Sequence, residues 1–133
     1  MLRYVNVRTK NRTEFVDITH DIQNIVTESG IMNGLCYLYV PHTTAAITIN
    51  EGADPSVQRD IQATLIKLIP FDGDYHHREG NSSAHIKSTI VGISKVVFIE
   101  DGRLVLGTWQ SIYLCEFDGP RHRRIAIKIV KDG

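Results

Sequence analysis

The stretch His42-Thr-Thr-Ala-Ala-Ile-Thr-Ile-Asn50-Glu51 decides how the fold is interpreted, because its alternating side chains predict a β-strand. One face is apolar and suits a packed core: Ala45, Ile47 and Ile49. The other face begins at His42, continues with small or polar residues, and ends at Asn50 beside the Glu51 carboxylate. That second face suits the wall of a ligand cavity, so the strand is predicted to carry part of a functional site.

The flanking sequence predicts an α+β fold with a largely antiparallel β-sheet or sandwich and about three helices. Strands are predicted at 2–8, 13–17, 35–40, 42–50, 95–99, 103–117 and 123–131, and helices at about 20–29, 55–69 and 82–91. The pair Asp101-Gly102 predicts a hairpin turn, and the segment 103–117 is long enough to require a break or bulge near Gly107. No linker or repeat interrupts the chain, so residues 1–133 are predicted to form one domain.

Composition narrows the class of protein. Fifteen basic and fifteen acidic residues cancel, which argues against nucleic acid as the main partner. No apolar run reaches the roughly 20 residues that span a bilayer, and the N-terminus does not resemble a signal peptide. Cys36 and Cys115 lie in apolar, strand-like runs without metal-type spacing, which favours buried free thiols. We therefore expect a cytoplasmic protein that binds neither membrane nor nucleic acid.

Three histidines, His42, His77 and His85, are candidates for one site. Imidazole can transfer protons near neutral pH, bind phosphate when protonated, or ligate a metal. The spacing between His77 and His85 is not a recognised zinc spacing, so a divalent ion such as zinc or magnesium is only one of the options. The alternative is that each histidine is an ordinary polar residue with a satisfied hydrogen bond.

Two further polar groups could belong to the same site. Asn50 and Glu51 could position a ligand, a metal or a water, or they could form the turn before a helix that Asp54 caps. Trp109 could form the lip of a pocket or simply pack in the core. Arg121 follows a turn, and its guanidinium suits phosphate or carboxylate.

The order of these motifs resembles the YjbQ-like family, often labelled secondary thiamine-phosphate synthase. The motifs are HTTAAITINE, Tyr75-x-His77, AHIKSTIVG, GRLVLGTWQ and DGPRHRR, and the resemblance spans essentially the whole chain. It implies a homotrimer with sites between subunits, and a weak activity that joins a pyrimidine diphosphate to a thiazole phosphate and releases pyrophosphate. The matching site positions are His42, Thr43, Thr44, Asn50, Glu51, His77, His85, Thr108, Trp109, Gln110 and Arg121.

These observations combine into one hypothesis for catalysis on a small phosphorylated molecule. A divalent ion or protonated imidazoles of His42, His77 and His85 would hold the diphosphate, and Arg121 would clamp one oxygen. Glu51 would hold a metal or an attacking group, while the other matching residues contact the ligand. Two alternatives stay open: a metal-dependent hydrolase of a small phosphorylated or amide substrate, and a non-enzymatic protein that binds a small anion or cofactor.

Overall fold

The computed structural model describes residues 2–133, and the predicted α+β class is confirmed there by three helices and antiparallel sheets. In chain order the elements are β1 (Arg3–Arg8), β2 (Glu14–Asp17), α1 (Thr19–Ser29), β3 (Gly34–Tyr39), β4 (Ala45–Glu51), α2 (Pro55–Leu68), α3 (Ser82–Val91), β5 (Ser94–Glu100), β6 (Arg103–Leu104), β7 (Gln110–Glu116) and β8 (His122–Lys131). None of the helices described between residues 2 and 133 combines the length and apolar character that a membrane crossing requires.

The main core lies between two antiparallel sheets. One sheet has the strand order β1-β8-β3-β5-β6 and the other the order β2-β7-β4. Alternation along the strands turns Leu38 and Ile127 of the first sheet, and Ile47 of the second, into this core. Helix α1 closes the core with Ile22 and Val26, because these positions fall on one side of the helix.

Local signals place the turns where the sequence predicts them. Asp101 and Gly102 both have positive φ, 52° and 76°, as the tight β5–β6 hairpin requires. Gly30 ends α1 in the left-handed conformation, with φ 70°. The predicted break near Gly107 is also present, since β6 ends at Leu104 and β7 begins at Gln110.

The predicted cavity wall does not continue along β4 itself. The strand begins at Ala45 rather than at His42, and the face that includes Ala46 is covered by α3. Ala46 is fully buried against a second small core of Ala84, Cys115 and Phe117. The Ser88 hydroxyl of α3 donates to the carbonyl of Ala45 over 2.6 Å, so the helix lies directly on the strand. Small side chains on this face of β4 therefore allow a helix to approach.

The outer face of the five-stranded sheet is apolar and exposed. Its exposed large apolar and aromatic side chains are Tyr4, Tyr37, Tyr39, Val96, Phe98 and Val130, which we call the outer sheet face. Phe98 alone is 64% exposed. Apolar groups concentrated on one sheet surface are typical of a face that another surface covers.

Both cysteines are free and buried, as the sequence predicts. Burial raises the pKa of the Cys36 thiol to about 12 and shifts the pKa of Cys115 further in the same direction. The two thiols are therefore protonated at physiological pH.

Candidate functional site

A cavity of about 470 Å³ lies at the end of the three-stranded sheet where β4 begins. We call it the polar pocket; its lining residues are Pro41, His42, Thr43, Thr44, His77, Glu79, Asn81, His85, Arg121 and Arg123. They come from the β3–β4 connection, the loop that ends at α3, α3 itself, and the segment from the β7–β8 turn into β8. Six of the eleven residues that the sequence predicts for a site therefore meet here: His42, Thr43, Thr44, His77, His85 and Arg121.

A buried ion pair forms the floor of the polar pocket. Arg123 is 4% exposed and Glu116 is completely buried. The Nε atom of Arg123 donates to Glu116 Oε1 over 2.8 Å, and Nη2 donates to Glu116 Oε2 and to Thr44 Oγ1. Burial alone would raise the pKa of Glu116, but the hydrogen bonds from Arg123, the Asp118 amide and Thr9 lower it overall. The pair is therefore charged and held rigidly.

One nitrogen of the Arg123 guanidinium makes no hydrogen bond within the described residues. Nε and Nη2 use all the hydrogen bonds that the guanidinium makes within residues 2–133, so Nη1 has no partner in this part of the chain. Nη1 is partly accessible, because it is not among the completely enclosed polar atoms that lack a partner. Because Arg123 lines the polar pocket, Nη1 offers its two N–H groups to whatever enters. Sequence reasoning missed this residue.

Arg121, which the sequence predicts as the phosphate clamp, lies at the rim. Its side chain is 50% exposed, and it donates through Nη2 to Asp118 Oδ2 over 2.7 Å and through Nε to the Asp118 carbonyl. Asn81 Nδ2 donates to the same carboxylate oxygen over 2.8 Å. Partial burial opposes ionisation of Asp118, but the hydrogen bonds from Asn81 and Arg121 lower its pKa overall. The charge of Arg121 is thus already paired within the chain.

The three predicted histidines do meet at the polar pocket. The rings of His77 and His85 are 5.2 Å apart, centroid to centroid, in an edge-to-face arrangement. His42 Nε2 accepts the Arg124 backbone N–H over 3.1 Å, which only a ring without a proton on Nε2 can do. Burial, followed by the positive charge of Arg123, lowers the pKa of His42. His42 is therefore a neutral imidazole with its proton on Nδ1.

A metal does not fit these residues within one chain. Among residues 2–133, no three His, Cys, Asp or Glu side chains are grouped so that they could hold an ion. The Nε2 atom of His42 is already occupied by a backbone hydrogen bond. The divalent ion stays a prediction.

The other five predicted residues lie at the opposite end of the three-stranded sheet. Asn50 and Glu51 end β4, and Glu51 pairs with Gln110, which begins β7 directly after Thr108 and Trp109. Asn50 lies six positions after Thr44 along extended chain, which corresponds to about 20 Å. Within one chain, the structure does not bring these five residues into the polar pocket.

At this second end, the side chains of Asn50, Glu51 and Gln110 make the hydrogen bonds of turns. Asn50 Oδ1 accepts the Glu51 N–H over 2.7 Å, and Glu51 Oε2 accepts the Ala53 N–H over 2.8 Å. Gln110 Oε1 accepts the Gly107 N–H over 2.8 Å, while the indole of Trp109 is 65% exposed. We call this end of the sheet, with Asn50, Glu51, Thr108, Trp109 and Gln110, the turn end. Their hydrogen bonds support the alternative that Asn50 and Glu51 form the turn before α2.

Comparison with known proteins identifies close relatives across the whole chain. The family described as "UPF0047 protein YjbQ-like" matches residues 3–132. A UPF0047 protein of Methanocaldococcus jannaschii is 52% identical, over 99% of this chain and 96% of the relative. The UPF0047 protein YugU of Bacillus subtilis is 47% identical, over 98% of this chain and 99% of the relative.

Solved structures with the same fold are also similar in sequence. A Clostridium acetobutylicum protein, described as an uncharacterized conserved protein of the yjbq/upf0047 family, has a TM-score of 0.94 and 51% identity, covering 96% of this chain and 99% of its own. A Sulfolobus solfataricus protein, described as YbjQ-like and of unknown function, has a TM-score of 0.95 and 36% identity, covering 99% and 97%.

These comparisons overturn the predicted activity. The two solved structures are described as uncharacterized or of unknown function, the two curated relatives are named only as UPF0047 proteins, and no thiamine-phosphate synthase is named among the four. The predicted coupling of a pyrimidine diphosphate to a thiazole phosphate, with release of pyrophosphate, is therefore wrong.

Proposed function

Because the chain belongs to the YjbQ-like UPF0047 family, whose compared members carry no assigned activity, we propose a function from the chemistry of its own pocket. The polar pocket binds a small phosphorylated molecule, and the phosphate lies against Nη1 of Arg123. The observation that carries this proposal is a guanidinium that is 4% exposed, has one unpartnered nitrogen, and lines a cavity of about 470 Å³.

Rigidity of the donor supports this proposal. Glu116 and Thr44 hold the guanidinium in one orientation, so little side-chain entropy is lost when a ligand binds. A hydrogen bond from a charged donor to an anionic oxygen is also stronger at a desolvated site than in water. Nδ1–H of His42 supplies a further donor with a fixed tautomer, and Thr43 adds a hydroxyl at the rim.

His77 and His85 are the groups that could act on a bound molecule. Their rings meet edge to face beside the position proposed for the phosphate, and imidazole is suited to proton transfer near neutral pH. We infer that this pair is the candidate acid and base if the bound molecule reacts. A binding role without turnover uses the same pocket and only its donors.

We also propose that the chain assembles into a homotrimer in the cytoplasm. The outer sheet face supports assembly, because Phe98, Val96 and Tyr37 expose apolar surface that another copy could cover. Cys36 and Cys115 support the location, since free thiols are usual in a reducing compartment. Size-exclusion chromatography with light scattering tests the assembly, and a mass of one chain would contradict it.

Calorimetric titration with inorganic phosphate tests the pocket. Arg123→Lys keeps the charge but removes the fork that reaches both Glu116 and the ligand, so we expect affinity to fall at least tenfold. Arg124→Lys is the matched control: the neighbouring side chain lies over the Tyr4 ring on the opposite face of the sheet, and affinity should change less than twofold. His85→Ala provides a second test at a residue outside the buried pair, with an expected loss of about fivefold.

The proposal fails if the wild-type chain does not bind phosphate. It also fails if Arg123→Lys and Arg124→Lys bind it equally well while both remain folded by circular dichroism.

A further inference from the structure

A second cavity adjoins the polar pocket. Its volume is about 460 Å³, and it shares three lining residues with the polar pocket: His42, Thr43 and His85. The rest of its wall comes from the second half of α3 and the residues just after it: Ser88, Thr89, Gly92 and Ile93. We call this space the apolar annex. The two cavities therefore adjoin at His42, Thr43 and His85.

The side chains of Ser88 and Thr89 expose little polar surface to the annex. The Ser88 hydroxyl donates to the Ala45 carbonyl over 2.6 Å, and the Thr89 hydroxyl donates to the His85 carbonyl over 2.9 Å. Both hydroxyls are thus committed to the backbone, and mainly carbon atoms are exposed to the space. Ile93 and the backbone of Gly92 complete the apolar surface.

Charge also distinguishes the two cavities. Arg121, Arg123 and Glu79 line the polar pocket, whereas no Asp, Glu, Lys or Arg is among the residues that line the annex. A group with many hydroxyls would lose its hydration there without gaining partners, and an apolar group would gain from burial.

We propose that the ligand is a phosphate ester with a compact apolar body, whose phosphate binds in the polar pocket and whose body fills the apolar annex. This inference rests on the proposed function and adds the class of molecule. It predicts that the annex selects against phosphate esters of the same size that carry free hydroxyls.

The test compares three probes by calorimetry: inorganic phosphate, phenyl phosphate and glycerol phosphate. Phenyl phosphate should bind about tenfold more tightly than inorganic phosphate, because burial of the ring removes apolar surface from water. Glycerol phosphate should bind no more tightly than inorganic phosphate.

Two phenylalanine variants locate the effect. Thr89→Phe fills the annex, so it should abolish the advantage of phenyl phosphate and leave the affinity for inorganic phosphate unchanged within twofold. Ile90→Phe is the matched control, because Ile90 is the next residue on the same helix, is 64% exposed and does not line either cavity. It should leave the affinities for all three probes unchanged.

Each failure has a distinct meaning. If phenyl phosphate gains nothing over inorganic phosphate while inorganic phosphate binds, the annex inference is wrong and the proposed function stands. If phenyl phosphate keeps its advantage in Thr89→Phe, the ring binds elsewhere and the inference is again wrong. If no probe binds the wild-type chain, the proposed function itself fails.

Discussion

The two ends of the three-stranded sheet carry similar polar side chains and use them differently. At the turn end, Asn50, Glu51 and Gln110 each bond to a backbone N–H no more than three residues away. At the polar pocket, Thr9 and Glu116 meet across 107 residues of sequence, and Arg123 meets Thr44 across 79. Short-range bonds shape a turn. Long-range bonds between buried charges cost desolvation, and here they hold a guanidinium with one nitrogen left for a ligand.

Buried polar atoms without a hydrogen-bond partner also differ between the two ends of the sheet. Two buried side-chain atoms lack a partner within residues 2–133, Asn81 Oδ1 and Lys87 Nζ, and both belong to α3 or its first flanking residue. Lys87 is 1% exposed, and its ammonium lies over the Phe71 ring at 4.5 Å from the centroid. Buried polar atoms without a hydrogen-bond partner, which cost desolvation free energy, therefore lie on the side of the polar pocket and not at the turn end.

Removal of one carboxylate from each end of the sheet should give the largest difference in the free energy of unfolding. Glu116→Ala leaves the charge of Arg123 buried without a counterion, so the free energy of unfolding should fall by about 3–5 kcal/mol. Glu51→Ala removes an exposed acceptor of turn N–H groups and should cost about 1 kcal/mol. Urea denaturation at pH 7 measures both. Equal losses would show that the ion pair is no more important to the fold than the turn.

Lys87→Met tests the cost of the unpartnered ammonium. Burial, with the nearby positive charge of Arg12, lowers the pKa of Lys87, so its charged form destabilises the folded chain at neutral pH. Methionine should raise the free energy of unfolding by about 1 kcal/mol at pH 7. The gain should shrink as the pH rises towards about 10.4, where the lysine of the unfolded chain also loses its proton.

The control for this variant is Lys67→Met at an exposed position of α2, which should change stability little at any pH. A loss of stability in Lys87→Met would show that the contacts of the ammonium with Phe71 and Phe117 outweigh its burial.

The smallest effect concerns the protonation of His42. Its pKa is lowered mainly by burial, so at pH 6.5, where an ordinary histidine is half protonated, the folded chain favours the neutral ring. Stability from this group should be complete above about pH 6.5 and decrease below it, because the unfolded chain then binds the proton first. Nitrogen NMR of the ring should show the proton on Nδ1 at pH 7. A proton on Nε2 would contradict the hydrogen bond from Arg124 that orients the ring.

Local signals explain how much of the fold could be predicted. Gly30, the Asp101–Gly102 turn and the start of α2 at Pro55 depend on backbone preferences of single residues, and all three lie where expected. Strand β8 likewise turns Ile125 inward and Arg124 outward, as its alternation predicts. Such features need only a few neighbouring residues to be recognised.

The site could be predicted only in part, because alternation identifies a face and not a place along the strand. The alternation places Thr44 and Asn50 on the same face, yet Thr44 lies just before β4 and Asn50 lies near its far end. Arg123 had a usable signal: it shares the inward parity of Ile125, which marks a buried arginine that needs a counterion. Its partner Glu116 lies seven residues earlier, on the far side of the β7–β8 turn.

Protonated, enclosed thiols make this chain convenient for spectroscopy. Alkylating reagents attack the thiolate, and Cys36 and Cys115 offer neither the ionised form nor access under ordinary labelling conditions. A cysteine introduced at exposed Ile90, one residue from the annex, would thus be the single reactive position for a fluorophore or spin label. Ligand entry could then be followed optically in the otherwise native chain.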